Sequence, residues 1–85
     1  MSQTEILQSI IELLPRVAPS PIDPAAIGRT TRLVEDLGLS SLSLVSLMFL
    51  CAERFSVDLT TVTDKLYGLQ TLGDAADLLR GMKAQ

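Results

Sequence analysis

The chain contains no histidine and no tryptophan, a single cysteine, Cys51, one tyrosine and two phenylalanines in 85 residues. Each shortage removes a class of chemistry. One cysteine cannot form an internal disulfide, and without histidine neither a Cys/His zinc site nor a Cys-His nucleophilic pair can be assembled. Lys and Arg number 7 against 10 Asp and Glu, for a net charge of −3. With no basic stripe to neutralise phosphates, nucleic acid is not an expected partner, and an acidic surface suits basic protein partners better. The first residues, Met-Ser-Gln-Thr-Glu, lack the positive region and apolar run of a signal peptide, so a cytoplasmic protein is expected. The uncharged stretch from Leu37 to Ala52 is shorter than the roughly 20 residues a membrane span needs. It also contains Gly38 and four serines, and reads as a soluble helix with its preceding turn, giving no membrane insertion.

What remains is a chain that should fold: 47% of its residues are hydrophobic, too many for a disordered segment at so small a net charge. Its length allows one domain with a small core, expected to span residues 1–85. Ile6, Leu7, Ile10, Ile11, Leu13 and Leu14 recur at helical spacing behind a Ser2/Glu5 capping box, predicting a first helix over Gln3 to Leu14. Pro15, Pro19, Pro21 and Pro24 then end regular helix. A segment of this length, residues 15 to 39, exceeds the roughly 12 to 15 residues common for an unstructured loop. It is therefore expected to be pinned to the core by Ile22, Ile27, Leu33, Val34 and Leu37, with a helical turn at Pro24–Ile27 closed by Gly28.

A second helix is predicted over Ser41 to Phe55, capped by Ser40 or Ser41. Leu44, Leu47, Met48, Cys51 and Phe55 make its core stripe, which places Cys51 in the core as a small, inert hydrophobe. Leu42, Val45, Phe49 and Ala52 make a second apolar stripe, with Ser43, Ser46 and Glu53 between. So small a domain has little material to cover a helix on two sides, so the second stripe is a candidate partner surface. Ser56 to Leu59 connects to a short third helix, Thr61 to about Leu66, ended by Gly68. Thr71 with Asp74 opens a fourth, Leu72 to Met82. With no sustained apolar-polar alternation, the fold class is all-α: a small four-helix bundle with a short third helix and a long loop between helices one and two.

Functional interest centres on Leu33-Val-Glu-Asp-Leu-Gly-Leu-Ser-Ser-Leu-Ser-Leu-Val45, a glycine-bearing turn and two adjacent serines at a helix start. Such a serine is ordinarily a cap, but the same place favours an attached phosphate, which would face free amides and the positive end of the helix dipole. No general base lies near to make a hydrolytic nucleophile, so no catalytic residue is expected. Glu35-Asp36 has no third oxygen ligand nearby in sequence and reads as a solvated pair, giving no metal site. Arg29 and Arg32 are too few for an anion site on their own, and Tyr67 reads as structural.

Val34-Glu-Asp-Leu-Gly-Leu-Ser-Ser-Leu42, continued by Cys51-Ala-Glu-Arg-Phe-Ser-Val-Asp-Leu59 and by Thr71-Leu-Gly-Asp-Ala-Ala76, resembles the acyl carrier protein family over nearly the whole chain. The resemblance implies 4′-phosphopantetheine as cofactor, transferred from coenzyme A to Ser41 by a phosphopantetheinyl transferase. It also implies acyl cargo carried as a thioester on the arm and presented to partner enzymes: acyltransferase, ketosynthase or acyl-activating enzymes. The protein itself would be no enzyme. Leu42 would line the base of the arm, and Gly38 would give the turn room.

Two departures from the family pattern bear on this. Ser40 stands where the family usually has Asp before the modified serine, although Leu42 and the Asp36-Leu37-Gly38 spacing keep Ser41 in register. Acidic family positions on the second helix are Ser43, Ser46 and Ala52 here, with Glu53 retained. Charge steering should accordingly be weaker, with Leu42, Val45 and Phe49 as an apolar docking stripe. The expectation is a discrete, monomeric acyl carrier of polyketide or other specialised biosynthesis, since the chain starts at methionine with almost no linker. A carrier of amino or hydroxy acids loaded by an adenylating enzyme, and an unmodified helical adaptor, are the alternatives.

Overall fold

In the computed structural model, residues 3–19, 21–60, 63–66 and 68–83 are described. They form four α-helices, α1 (Gln3–Leu13), α2 (Ser41–Phe55), α3 (Thr63–Leu66) and α4 (Leu72–Lys83). No strand occurs among the described residues, only an isolated antiparallel bridge between Arg32 and Thr71. The fold is all-α. Ser2, Thr61 and Tyr67 lie outside the described residues, and with them the Ser2/Glu5 and Thr61/Asp64 caps.

The core is built from one side of each long helix. Ile6, Ile10, Ile11 and Leu13 of α1 and Leu72, Ala75, Ala76 and Leu79 of α4 are buried in one core cluster, and α1 packs chiefly on α4, then on α2. From α2 come Leu44, Leu47, Met48, Cys51 and Phe55, all buried. Burying such side chains contributes about 1.5–3 kcal/mol each before entropy is subtracted.

Helix α1 stops at Leu13, but the chain does not leave the helical path there. A 3₁₀ turn, Leu14–Arg16, carries it through Pro15, because proline in a first turn forfeits no hydrogen bond. A second 3₁₀ turn, Pro24–Ala26, starts from Asp23, whose carboxylate accepts from the Ala25 N–H at 3.0 Å. Gly28 is not its stop, since Ile27 closes it by donating to the Pro24 carbonyl.

A second expectation for this segment is also corrected. Val34 is no core pin: it is 55% exposed, while Leu33, Leu37 and Leu39 are the buried residues. The Leu33 N–H donates to the Gln70 carbonyl at 2.8 Å, and the Leu39 N–H to the Leu33 carbonyl at 3.1 Å. These bonds turn Leu33 and Leu39 inward and leave Val34 outside. Glu35-Asp36 is the solvent-exposed pair expected, and it also braces the turn. Both carboxylates pair with Arg32, and Asp36 Oδ2 accepts the Arg32 N–H at 2.8 Å, closing the turn that leads to α2.

That turn ends on Gly38, whose φ of +72° lies in the left-handed region that side chains with a Cβ rarely adopt. At the far end of α2, Ser56 takes the left-handed position (φ 57°), its N–H reaching Glu53 and the Val57 N–H reaching Ala52 at 3.0 Å. This is a Schellman stop made without glycine. Helix α4 opens with a reciprocal box: the Asp74 N–H donates to Thr71 Oγ1 and the Thr71 N–H to Asp74 Oδ2, both at 3.1 Å.

Candidate functional site

The two adjacent serines at the start of α2 occupy different structural positions. Ser40 is the N-cap, extended at φ −80° and ψ 170°. Its Oγ accepts the Ser43 N–H at 3.1 Å, its hydroxyl donates to Ser43 Oγ at 3.0 Å, and its carbonyl accepts from Leu44 at 2.9 Å. Ser41 is the first helical residue and is exposed. Helix geometry leaves the Ser41 and Leu42 amides without an intrahelical acceptor, and no acidic residue stands in the first turn of α2. A monoanion attached there would meet only favourable partial charge from the helix.

Along α2 the second apolar stripe divides. Leu42 is 77% exposed and Phe49 45% exposed, and Val45 between them is half-buried. Ser46 and Glu53 are exposed and Ser43 is half-buried against the cap. Ala52 does not belong with them: it is buried, at 5% exposure, near the end of α2, where its carbonyl takes the Val57 N–H. The outward apolar set is thus Leu42, Val45 and Phe49. Cys51 is a free thiol within the core, and burial pushes it up to about 12, slightly offset by Arg54. It is not a nucleophile at neutral pH.

Arg29 and Arg32 are both engaged with carboxylates, Arg29 with Asp77 at 3.1 Å. Among the described residues no cluster of three or more Cys, Asp or Glu could hold a metal ion, and no helix is long and apolar enough to cross a membrane.

Residues 5–79 match the family model for the phosphopantetheine attachment site. The chain belongs to this family. No curated protein sequence matches it significantly. The family's cofactor is covalently attached 4′-phosphopantetheine, and its domains are carriers, with no catalytic function of their own. They interact with phosphopantetheinyl transferases and with acyl-processing enzymes. The polarity of the α2 start, an exposed hydroxyl beside free amides, fits such a group.

The resemblance in sequence found both serines, but the hydroxyl link from Ser40 to Ser43 went unread. The signal was present as Ser-x-x-Ser, a spacing that joins a cap to the third helical residue.

Proposed function

We propose that this carrier domain receives its 4′-phosphopantetheine on Ser41, holds acyl groups as thioesters at the arm's end, and presents them to biosynthetic enzymes. The observation that carries this is the division of labour between the two serines. The Ser40 hydroxyl is engaged as both donor and acceptor in holding the helix start, while Ser41 stands exposed one residue on. In the transfer, Ser41 Oγ forms a bond to the phosphorus of coenzyme A that bears pantetheine, its proton passes to the transferase, and adenosine bisphosphate leaves. When bound, the group supplies a thiol whose thioesters are activated acyl donors.

Leu42, Val45 and Phe49 form the docking stripe in this reading, flanked by Ser43, Ser46 and Glu53. Support comes from the exposure of Leu42 and Phe49 on the helix that begins at Ser41. With a single carboxylate in that set, partners would be gripped by apolar burial more than by charge. That balance favours polyketide or other specialised acyl pathways, with acyltransferase, ketosynthase or acyl-activating enzymes as partners. The domain is read as a monomer with one core, its short third helix and long first connection serving as scaffold for α2. The free buried thiol suits a reducing cytoplasm.

The test is incubation with coenzyme A and a broad-specificity transferase, followed by intact mass and peptide mapping. One phosphopantetheinyl increment on the peptide's Ser41 supports the assignment, and an increment on Ser40 removes it.

A further inference from the structure

Two hydroxyls on adjacent residues pose a choice that a lone serine does not. Ser40 and Ser41 are both exposed at the start of α2, and each carries the oxygen and the proton that a phosphoryl transfer consumes. Exposure does not separate them, but the hydrogen bonds of Ser40 do.

Ser43 engages the Ser40 hydroxyl twice. The Ser43 N–H donates to Ser40 Oγ at 3.1 Å, and Ser43 Oγ accepts the Ser40 proton at 3.0 Å. A hydroxyl has one proton and two lone pairs, so a single residue takes the proton and one of the pairs. The two contacts serve different ends. The N–H contact is the helix cap, and any residue other than proline at position 43 would supply it. The hydroxyl contact satisfies no backbone group. It depends on the Ser43 side chain alone, which is half-buried on the third residue of a 15-residue helix.

A serine reacts through an oxygen lone pair while its proton leaves to a base. In transfer to Ser41, Oγ bonds to phosphorus, the bond from phosphorus to adenosine bisphosphate breaks, and the serine proton passes to the transferase. The same step at Ser40 would first have to turn the proton away from Ser43 Oγ. We propose that Ser43 is a positioning residue for this transfer: acting through Ser40, it holds the neighbouring hydroxyl out of the reaction and so directs phosphopantetheine to Ser41. The inference rests on the reading above and gives Ser43 a role separate from the docking stripe it flanks.

The experiment follows phosphopantetheinylation by intact mass and peptide mapping, with coenzyme A and a broad-specificity transferase. It compares wild type, Ser41→Ala, Ser41→Ala/Ser43→Ala and Ser41→Ala/Ser43→Thr. Excess transferase and times well past completion of the wild type make slow transfer to Ser40 measurable. Ser41→Ala/Ser43→Ala should gain its increment at Ser40 roughly two- to tenfold faster than Ser41→Ala, the factor that one net hydrogen bond represents. Ser41→Ala/Ser43→Thr, which restores a hydroxyl, should return to the slow rate. Thermal melts of the three variants should coincide, since each keeps the N–H cap. Equal rates with and without the Ser43 hydroxyl, no transfer to Ser40 in any variant, or a threonine variant that stays fast overturns the proposal and leaves the Ser41 reading standing. A faster rate that comes with a lower melting temperature makes Ser43 a structural residue only, and overturns it too. An increment on Ser40 in the wild type, or none at all, overturns both.

Discussion

Arg29 lies across Gly73. The Gly73 N–H donates to the Arg29 carbonyl at 2.9 Å, and a Cβ placed on Gly73 would sit 3.0 Å from that oxygen and 3.2 Å from the guanidinium carbon. Passing over the glycine, the guanidinium reaches Asp77 one turn along α4. The first connection is thereby fastened to the last helix at a point where a Cβ would crowd the Arg29 carbonyl.

Two glycines of α4 should therefore respond oppositely to alanine. Gly81→Ala meets nothing within 4 Å and should stabilise by up to about 1 kcal/mol through helix propensity. Gly73→Ala gains the same propensity but must displace the Arg29 carbonyl, a backbone atom, and should lower the midpoint of thermal unfolding. Circular dichroism melts of the two variants decide this.

Ser40→Ala removes the cap of α2 and should cost about 1 kcal/mol, while Ser40→Asp, which can accept the same Ser43 N–H, should restore most of it. Ser41→Ala should leave stability nearly unchanged, since the hydroxyl is exposed on a residue whose fold role is purely backbone. Urea unfolding of the three variants gives the ordering.

Phe49→Asp should unfold at close to the wild-type temperature, because the ring is already 45% exposed, yet turnover by partner enzymes should fall. Leu47→Ala, fully buried two residues earlier, should cost about 2–5 kcal/mol. Melting curves beside partner assays separate docking from packing, and a large loss of stability in Phe49→Asp would place that ring in the core.

Cys51 should resist alkylation in the folded protein at pH 8 and react on unfolding. Its raised value in the fold has a further consequence for stability. The folded state holds the thiol proton where the unfolded state, near 9.0, has lost it. Stability is thus unaffected below about pH 9 and falls as pH rises from there towards 12, by at most about 1.4 kcal/mol per pH unit. Cys51→Ala should lack this part of the alkaline slope, measured as the difference between the two denaturation series.

Helix periodicity carried most of what could be read before the structure: α2 runs from Ser41 to Phe55 as its stripe and caps indicate, and the Thr71/Asp74 box forms. Periodicity says nothing about the connection before α2, where facing is set by long-range backbone bonds. Val34 and Leu39 differ little in apolarity, yet Leu33's bonds to Gln70 and Leu39 bury one and expose the other. Periodicity likewise places Ala52 on a helix face with Phe49, yet Ala52 is buried where Phe49 is 45% exposed.

The central claim is that Ser41 carries the arm and Ser40 holds the helix that presents it. Intact mass after incubation with coenzyme A and a broad-specificity phosphopantetheinyl transferase, on wild type, Ser40→Ala and Ser41→Ala, tests it most directly. The account predicts one phosphopantetheinyl increment on wild type and on Ser40→Ala, and none on Ser41→Ala. An increment that persists in Ser41→Ala and disappears in Ser40→Ala would contradict it.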